Sequence, residues 1–215
     1  MKLLNGRLFF ESQSANAFFY LIIIGIIGIL IYSQPNNPPA FAVNNFTNFT
    51  NAKYNIEFQY PSDWELKEKS SRFDEGADIS IHSNSITENG LIAIVYSDKL
   101  IEGFGSSDLR TAVYATFKES LRSDYSREYR VIELPSFITI GDKDAGTFLF
   151  TDQDKYEEYA LKWATQRWIV FNEDHGYLIS YTSSAETFDN PTNKEIRDKF
   201  INSIKFINQT NTTLQ

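Results

Sequence analysis

Tyr54, Ile56, Phe58 and Tyr60 alternate with Asn55, Glu57 and Gln59, the period-two pattern of a half-buried strand. Pro61-Ser62-Asp63 turns the chain and Trp64 begins the return. Ala77, Ile79 and Ile81 alternate with Asp78, Ser80 and His82, and Leu91–Tyr96 is apolar throughout, which predicts a central strand covered on both faces. The period then changes. Leu109, Val113, Phe117 and Leu121 recur every four residues, with Arg110, Lys118, Glu119 and Arg122 off that stripe, so a helix is predicted there. Ser106 or Ser107 is its expected cap, with Asp108 in the first turn. Strands are expected to resume at Arg130–Glu133, Phe137–Ile140 and Gly146–Thr151. Tyr159–Asn172 and Tyr177–Ser183 are expected to form a long hairpin turning at Glu173-Asp174-His175-Gly176. A last helix is predicted from about Lys194 to Ile204, with Ile196, Phe200 and Ile204 on one face. Strands in series with two helices predict an α+β fold, an antiparallel sheet with helices against it.

A second pattern precedes this domain. Ala17–Tyr32 contains only apolar side chains, Gly and Tyr, and no charge lies between Glu11 and Lys53. Such a run is expected to be a transmembrane helix or the hydrophobic region of a signal peptide. As a helix it spans roughly 24 Å against a hydrocarbon core of about 30 Å, so uncharged neighbours up to Gln34 are needed to complete a crossing. Pro35 limits it. Lys2 and Arg7 outweigh Glu11 on the near side, which keeps residues 1–16 cytoplasmic and puts the C-terminal domain outside. Ala40-Phe41-Ala42 has the small-x-small form of a cleavage site. Two fates follow: a single-pass protein of the cell membrane anchored through residues 17–34, or a secreted domain released after Ala42. Residues 35–52 are expected to be a flexible linker, residues 53–207 the folded domain and residues 208–215 a disordered tail.

Composition narrows the partners. The chain has no Cys and a net charge of −8, and the only charges before Lys53 are Lys2, Arg7 and Glu11, so the acidic excess sits in the domain. Disulfides and thiolate metal sites are excluded, and nucleic acid is disfavoured as a partner. Asn45, Asn48, Asn208 and Asn211 each begin an N-glycosylation acceptor triplet, all four in the segments flanking the domain. They are candidates for modification in a host that glycosylates.

Tyr60-Pro61-Ser62-Asp63-Trp64 after an alternating strand resembles the opening of PsbP-like domains. The ending Phe200-Ile201-Asn202-Ser203-Ile204-Lys205-Phe206 and the aromatic hairpin around Trp163 and Trp168 are similar too. The resemblance covers about Tyr54 to Ile207. It implies an antiparallel sheet sandwiched by helices. The superfamily includes the extrinsic photosystem II subunit, a Ran-binding nuclear factor and prokaryotic surface proteins, so function does not transfer with the fold. For a chain with its own anchor it implies a membrane-anchored surface protein.

Chemistry-bearing residues are few. His82 and His175 are the only imidazoles, one on the polar side of an alternating strand and one in a hairpin turn. No Gly-x-Ser-x-Gly elbow exists to supply a nucleophile, and surface histidines are the simpler reading, so the chain is expected not to be an enzyme. Gly103-Phe104-Gly105-Ser106-Ser107 lacks the Lys of a nucleotide loop and is expected to be a loop and cap. Asp152, Asp154, Glu157 and Glu158 form the best oxygen-rich cluster, the one set to test for calcium. They lack the glycine and distal Glu of an EF-hand, and an acidic turn explains them as well. No cofactor is expected. The leading expectation is a non-catalytic docking module for another envelope protein. The alternative is a binding protein for a small ligand or calcium. A concave pocket lined by Trp163, Trp168 and convergent polar groups would favour the alternative, and an exposed apolar patch would favour docking.

Overall fold

The computed structural model describes residues 45–68, 77–84, 90–122, 124–157 and 160–207. The expected membrane segment at residues 17–34 and the tail at 208–215 lie outside these. So do Glu158 and the acceptor residues Asn208 and Asn211.

All strand pairs are antiparallel. Strands β1 (Phe46–Asn51), β2 (Ile56–Pro61) and β10 (Lys205–Phe206) form a small sheet in the order β1-β2-β10. The large sheet contains β3 (Glu65–Glu68), β4 (Ile79–His82), β5 (Leu91–Ser97), β6 (Arg127–Ile140), β7 (Lys143–Asp154), β8 (Trp163–Asn172) and β9 (His175–Ser184). Its order is β3-β4-β5-β9-β8-β7-β6. Helices α1 (Leu100–Phe104), α2 (Leu109–Ser120) and α3 (Pro191–Ser203) complete an α+β fold.

Two apolar clusters explain why the layers stack. The larger joins Ile56 and Phe58 of the small sheet, Ile196 and Phe200 of α3, and Ile92, Ile94, Trp168 and Ile179 of the large sheet. The smaller sits on the opposite face of the large sheet. There Val113 of α2 meets Phe148, Phe150 and Ile169, with Leu109, Phe117 and Leu121 beside it. The four-residue stripe read from the sequence is thus the buried face of α2. Gly146 sets how closely α2 approaches, because a Cβ there would lie 2.1 Å from Val113 Cγ2. Trp64 is 4% exposed and presses on Gly90, where a Cβ would stand 2.2 Å from its ring.

The two motifs that resemble PsbP-like domains have physical roles. In the first, the Trp64 amide donates to the Pro61 carbonyl at 3.1 Å, closing the turn that delivers the indole to the core. In the second, the Ser203 hydroxyl donates to the Phe200 carbonyl at 2.7 Å and accepts from the Gln59 amide at 2.8 Å. It therefore ends α3 and ties it to β2.

Several boundaries differ from the sequence expectation. The last part of the expected linker, Phe46–Asn51, is strand β1, paired along its whole length with β2. The Phe49 ring packs tilted against Phe58, 4.9 Å between centroids, and this apolar contact outweighs the polar composition around it. The cap of α2 is Asp108, whose carboxylate accepts from the Thr111 amide at 2.8 Å, while Ser106 accepts from the Asp108 amide. Helix α3 starts earlier, at Pro191, where Asn190 caps it through the Asn193 amide. The two strands expected on either side of Leu134-Pro135 are one strand, β6, with register shifts between Val131 and Ser136. Proline is tolerated there because β6 is an edge strand and Pro135 falls in the irregular stretch, where no ladder donor is required. His175 is not in the turn but is the first residue of β9, opposite Asn172. The turn is Glu173-Asp174, with Glu173 left-handed at φ 56°. Finally, β5 is fully buried on one face only. Ile92 and Ile94 are sealed, whereas Leu91, Ala93 and Val95 are half-buried, because α2 covers β7 and β8 and leaves the neighbouring strands less covered.

Candidate functional site

That uncovered stretch is the floor of a cleft. Registers place Leu91 opposite Thr182, Ala93 opposite Ser180 and Val95 opposite Leu178. They also place Thr165 opposite Thr182 and Arg167 opposite Ser180. Side chains opposite one another share a face, so β5, β9 and β8 present one surface that changes from apolar to hydroxylic to cationic. The end of α2 at Ser120, the turn at Asp124 and the start of β6 at Arg127 and Tyr129 form the wall. The cleft encloses about 420 Å³, within the usual range for small-molecule sites.

Arg167 dominates its electrostatics. It rises from a central strand, half-buried, with the guanidinium 5.4 Å from the centre of the Phe150 ring. Nη1 donates to the Ser120 hydroxyl at 2.5 Å. That hydroxyl in turn donates to the Thr116 carbonyl at 2.7 Å, which fixes its lone pairs toward the arginine. Nε is sealed from solvent and donates to no described group. Among the described residues Arg167 forms no ion pair. Burial therefore pulls its pKa below the usual guanidinium value, opposed by nearby Tyr129, Asp152 and Glu119.

The other charges that line the cleft are already engaged. Arg127 bonds Asp152 through Nε at 2.7 Å and through Nη2. Asp124 accepts from the Ser126 amide at 2.8 Å and the Ser126 hydroxyl at 2.6 Å, and these bonds hold its carboxyl below the usual carboxylate range. Thr165 and Thr182 share a hydrogen bond of 3.0 Å across β8 and β9.

The residues singled out from sequence are distributed differently. Asp152 is committed to Arg127. Asp154 accepts from the Tyr156 amide at 2.8 Å, and Glu157 is exposed in the following turn. Among the described residues no three His or carboxylate groups converge to hold a metal ion. Trp168 points into the large core, 3% exposed, on the face opposite Arg167, and Trp163 stands beyond the cleft lining. Neither tryptophan lines this cleft, whose convergent polar groups are Arg167 and the hydroxyls. His82 bonds the Ser80 hydroxyl at 3.2 Å and His175 bonds the Tyr96 hydroxyl at 3.1 Å. Asn45 and Asn48 are exposed, and the Asn48 side chain accepts from Gln59 at 2.9 Å.

The second surface of interest is β6. It is one of the two outer strands of the large sheet, fourteen residues long. Leu134 is 71% exposed, and Val131, Ile132, Phe137 and Ile138 are also exposed. Arg110 of α2 lies over the Phe137 ring at 4.8 Å. The register with β7 is regular at Arg127–Val131 and Ser136–Ile140 and irregular between them. The sequence pattern ended one strand at Glu133 and began another at Phe137, and so did not show that Val131, Ile132, Leu134, Phe137 and Ile138 lie on one edge strand.

No family model matches the chain, and no curated protein matches it. Solved structures do. The cyanobacterial PsbP of Synechocystis is similar over 81% of this chain and 97% of its own, at 16% identity and a TM-score of 0.53. The Saccharomyces cerevisiae Ran-binding protein Mog1p is similar over 76% of this chain and 96% of its own, at 12% identity and a TM-score of 0.53. The likeness is one of fold: the chain has a PsbP/Mog1-like α+β domain.

Proposed function

We propose that this chain is a non-catalytic docking module of the cell envelope, tethered through residues 17–34 with its PsbP-like domain outside the cytoplasm. It engages an extended segment of another envelope protein along β6. The observation that carries this reading is the apolar edge. An unpaired strand displays a row of free N–H and C=O groups, and soluble proteins ordinarily blunt such edges with charge. The part of β6 before Ser136 carries such devices, exposed Arg130 and Glu133 and then Pro135, but Ser136–Ile140 carries no charge, and Ile138 is exposed there with Leu134 just before it. A partner strand adding to β6 satisfies the backbone groups and covers the apolar side chains at once. The regular stretch Ser136–Ile140 is the natural pairing segment, and the irregular residues before it limit uncontrolled edge-to-edge growth. The net charge of −8 favours a partner with basic residues flanking its apolar strand. Mog1p, a Ran-binding protein by name, is a precedent for protein binding by this fold.

The test is a photo-reactive side chain at Leu134 of the full chain in intact cells of its own host, with Glu195 on α3 as the control position. One discrete crosslinked polypeptide is expected at Leu134 and none at Glu195, and Ile138→Asp should abolish it. Equal capture at both positions, or capture indifferent to Ile138→Asp, refutes docking along β6. Protease added to intact cells should remove a C-terminal epitope. Survival of that epitope until lysis refutes the outward orientation.

A further inference from the structure

We propose that the cleft between α2 and the large sheet binds a small monocarboxylate with an apolar body. The carboxylate sits on Arg167, and the body lies along Ala93, Val95 and Leu178. This inference is independent of β6 and of any partner protein.

Three observations carry it. The first is a cation with no described ion pair, its nearby carboxylates Asp152 and Glu119 acting only from beyond bonding distance. Arg167 is held in a strand at the middle of the sheet with no described ion pair, and its sealed Nε has no described acceptor. Removing a charge from water is costly unless it is paired, and the only described bond, from Nη1 to Ser120, leaves the rest of the guanidinium fork unanswered. A carboxylate matches that fork, because two of its oxygens can accept parallel N–H bonds.

The second is the order of chemistry along the floor. From Arg167 the surface passes to Ser180 and then to Ala93, three neighbours on adjacent strands. Val95 and Leu178 continue it as a paired apolar step. A ligand with one charged end and one apolar end is complementary to this sequence of groups, whereas a free inorganic anion leaves the apolar half uncovered.

The third is the charge of the wall. Asp152 is neutralised by Arg127, and Asp124 stands at the mouth on its Ser126 bonds. With Asp152 paired, Asp124, which has no described ion pair, and the nearby Glu119 leave Arg167 to balance a single negative charge and disfavour a dianion. This favours a monocarboxylate over a phosphate ester.

The experiment titrates phenylacetate and hexanoate into the full chain held in lipid nanodiscs, with empty nanodiscs as the blank. Calorimetry reads affinity, and the Arg167 Nε–H NMR cross-peak, assigned by its loss in Arg167→Gln, reads location. Binding of at least one acid with a shift of that cross-peak is expected. The matching amide should bind at least about tenfold more weakly, since hydrogen bonds to a charged group are worth that much. Arg167→Gln should weaken the acid by a similar factor. Ala93→Phe, which fills the apolar half and leaves Arg167 untouched, should do so too, and it decides the matter if Arg167→Gln fails to fold. The proposal is overturned if neither acid binds at millimolar concentration, or if acid and amide bind alike. It also fails if a folded variant keeps its affinity within about twofold, or if inorganic phosphate competes on equal terms. None of these outcomes bears on crosslinking at Leu134.

Discussion

Replacing Gly146 with Ala tests how α2 is seated on the sheet. Gly146 has ordinary extended backbone geometry, so alanine fits the strand, and restricting the unfolded chain is worth about 0.4–1 kcal/mol in its favour. The new methyl, however, would lie 2.1 Å from Val113 Cγ2 and 2.9 Å from Cγ1. Val113 is fully buried, and overpacking of this kind costs about 1–3 kcal/mol. The net expectation for Gly146→Ala is a loss of about 0.5–2 kcal/mol. Val113→Ala removes both γ carbons and should cost about 1.6 kcal/mol from burial alone, plus a cavity term. In the double variant the added methyl occupies space that the valine vacated. It should therefore be more stable than the sum of the single changes by about 1 kcal/mol or more. Urea unfolding of the fragment Phe41–Gln215, followed by circular dichroism, gives all four free energies at constant slope. If Gly146→Ala is stabilising, or the two changes add within about 0.5 kcal/mol, then α2 is not held against β7 by this contact.

Three further outcomes are expected. A fragment of residues 53–215 lacks β1 and exposes the Phe58 ring that Phe49 covers; its urea midpoint should lie clearly below that of Phe41–Gln215, and equal midpoints would show that β1 adds nothing. Burial, then the nearby Tyr96 hydroxyl, raises the Tyr177 phenol pKa well above its usual value, and burial followed by Asp98 and Asp78 raises Tyr96. Their contribution to stability is complete below the unfolded pKa of about 10 and is lost as pH rises from there through the raised folded values. Tyr177→Phe should flatten that alkaline decline while losing the bond to the Tyr54 carbonyl, and an unchanged slope refutes the assignment. Millimolar calcium should leave the unfolding midpoint where equal magnesium leaves it, since Asp152 is held by Arg127. A site saturated a hundredfold would add about 2.7 kcal/mol, and a calcium-specific rise lost in Asp152→Asn with Asp154→Asn would restore the acidic cluster as a ligand set.

Local periodicity was enough to find most elements and much of the core. The alternation at Ile56 and Phe58, the apolar run at Leu91–Tyr96 and the Leu109–Leu121 stripe all depend on spacing that one segment carries by itself. The motifs at Tyr60–Trp64 and Phe200–Phe206 pointed to the right fold because closing the turn at Pro61–Trp64 and ending α3 at Phe200–Ser203 are short-range chemistry. What spacing could not supply was the environment of each face. Phe46–Asn51 has a linker's composition and became a strand because Phe58 needed a cover. Leu134-Pro135 looked like a break and was bridged because β6 lies at an edge, a position that only strand order assigns. Thr165, Arg167, Ser180 and Thr182 share one side of the hairpin, and nothing in their spacing distinguishes that side from a solvent-facing one. Strand order placed that side at the centre of a sheet, and the end of α2 walled it. Whether an arginine is a surface charge or the buried cation of a cleft depends on residues more than forty positions away, and that distance is closed only by tertiary packing.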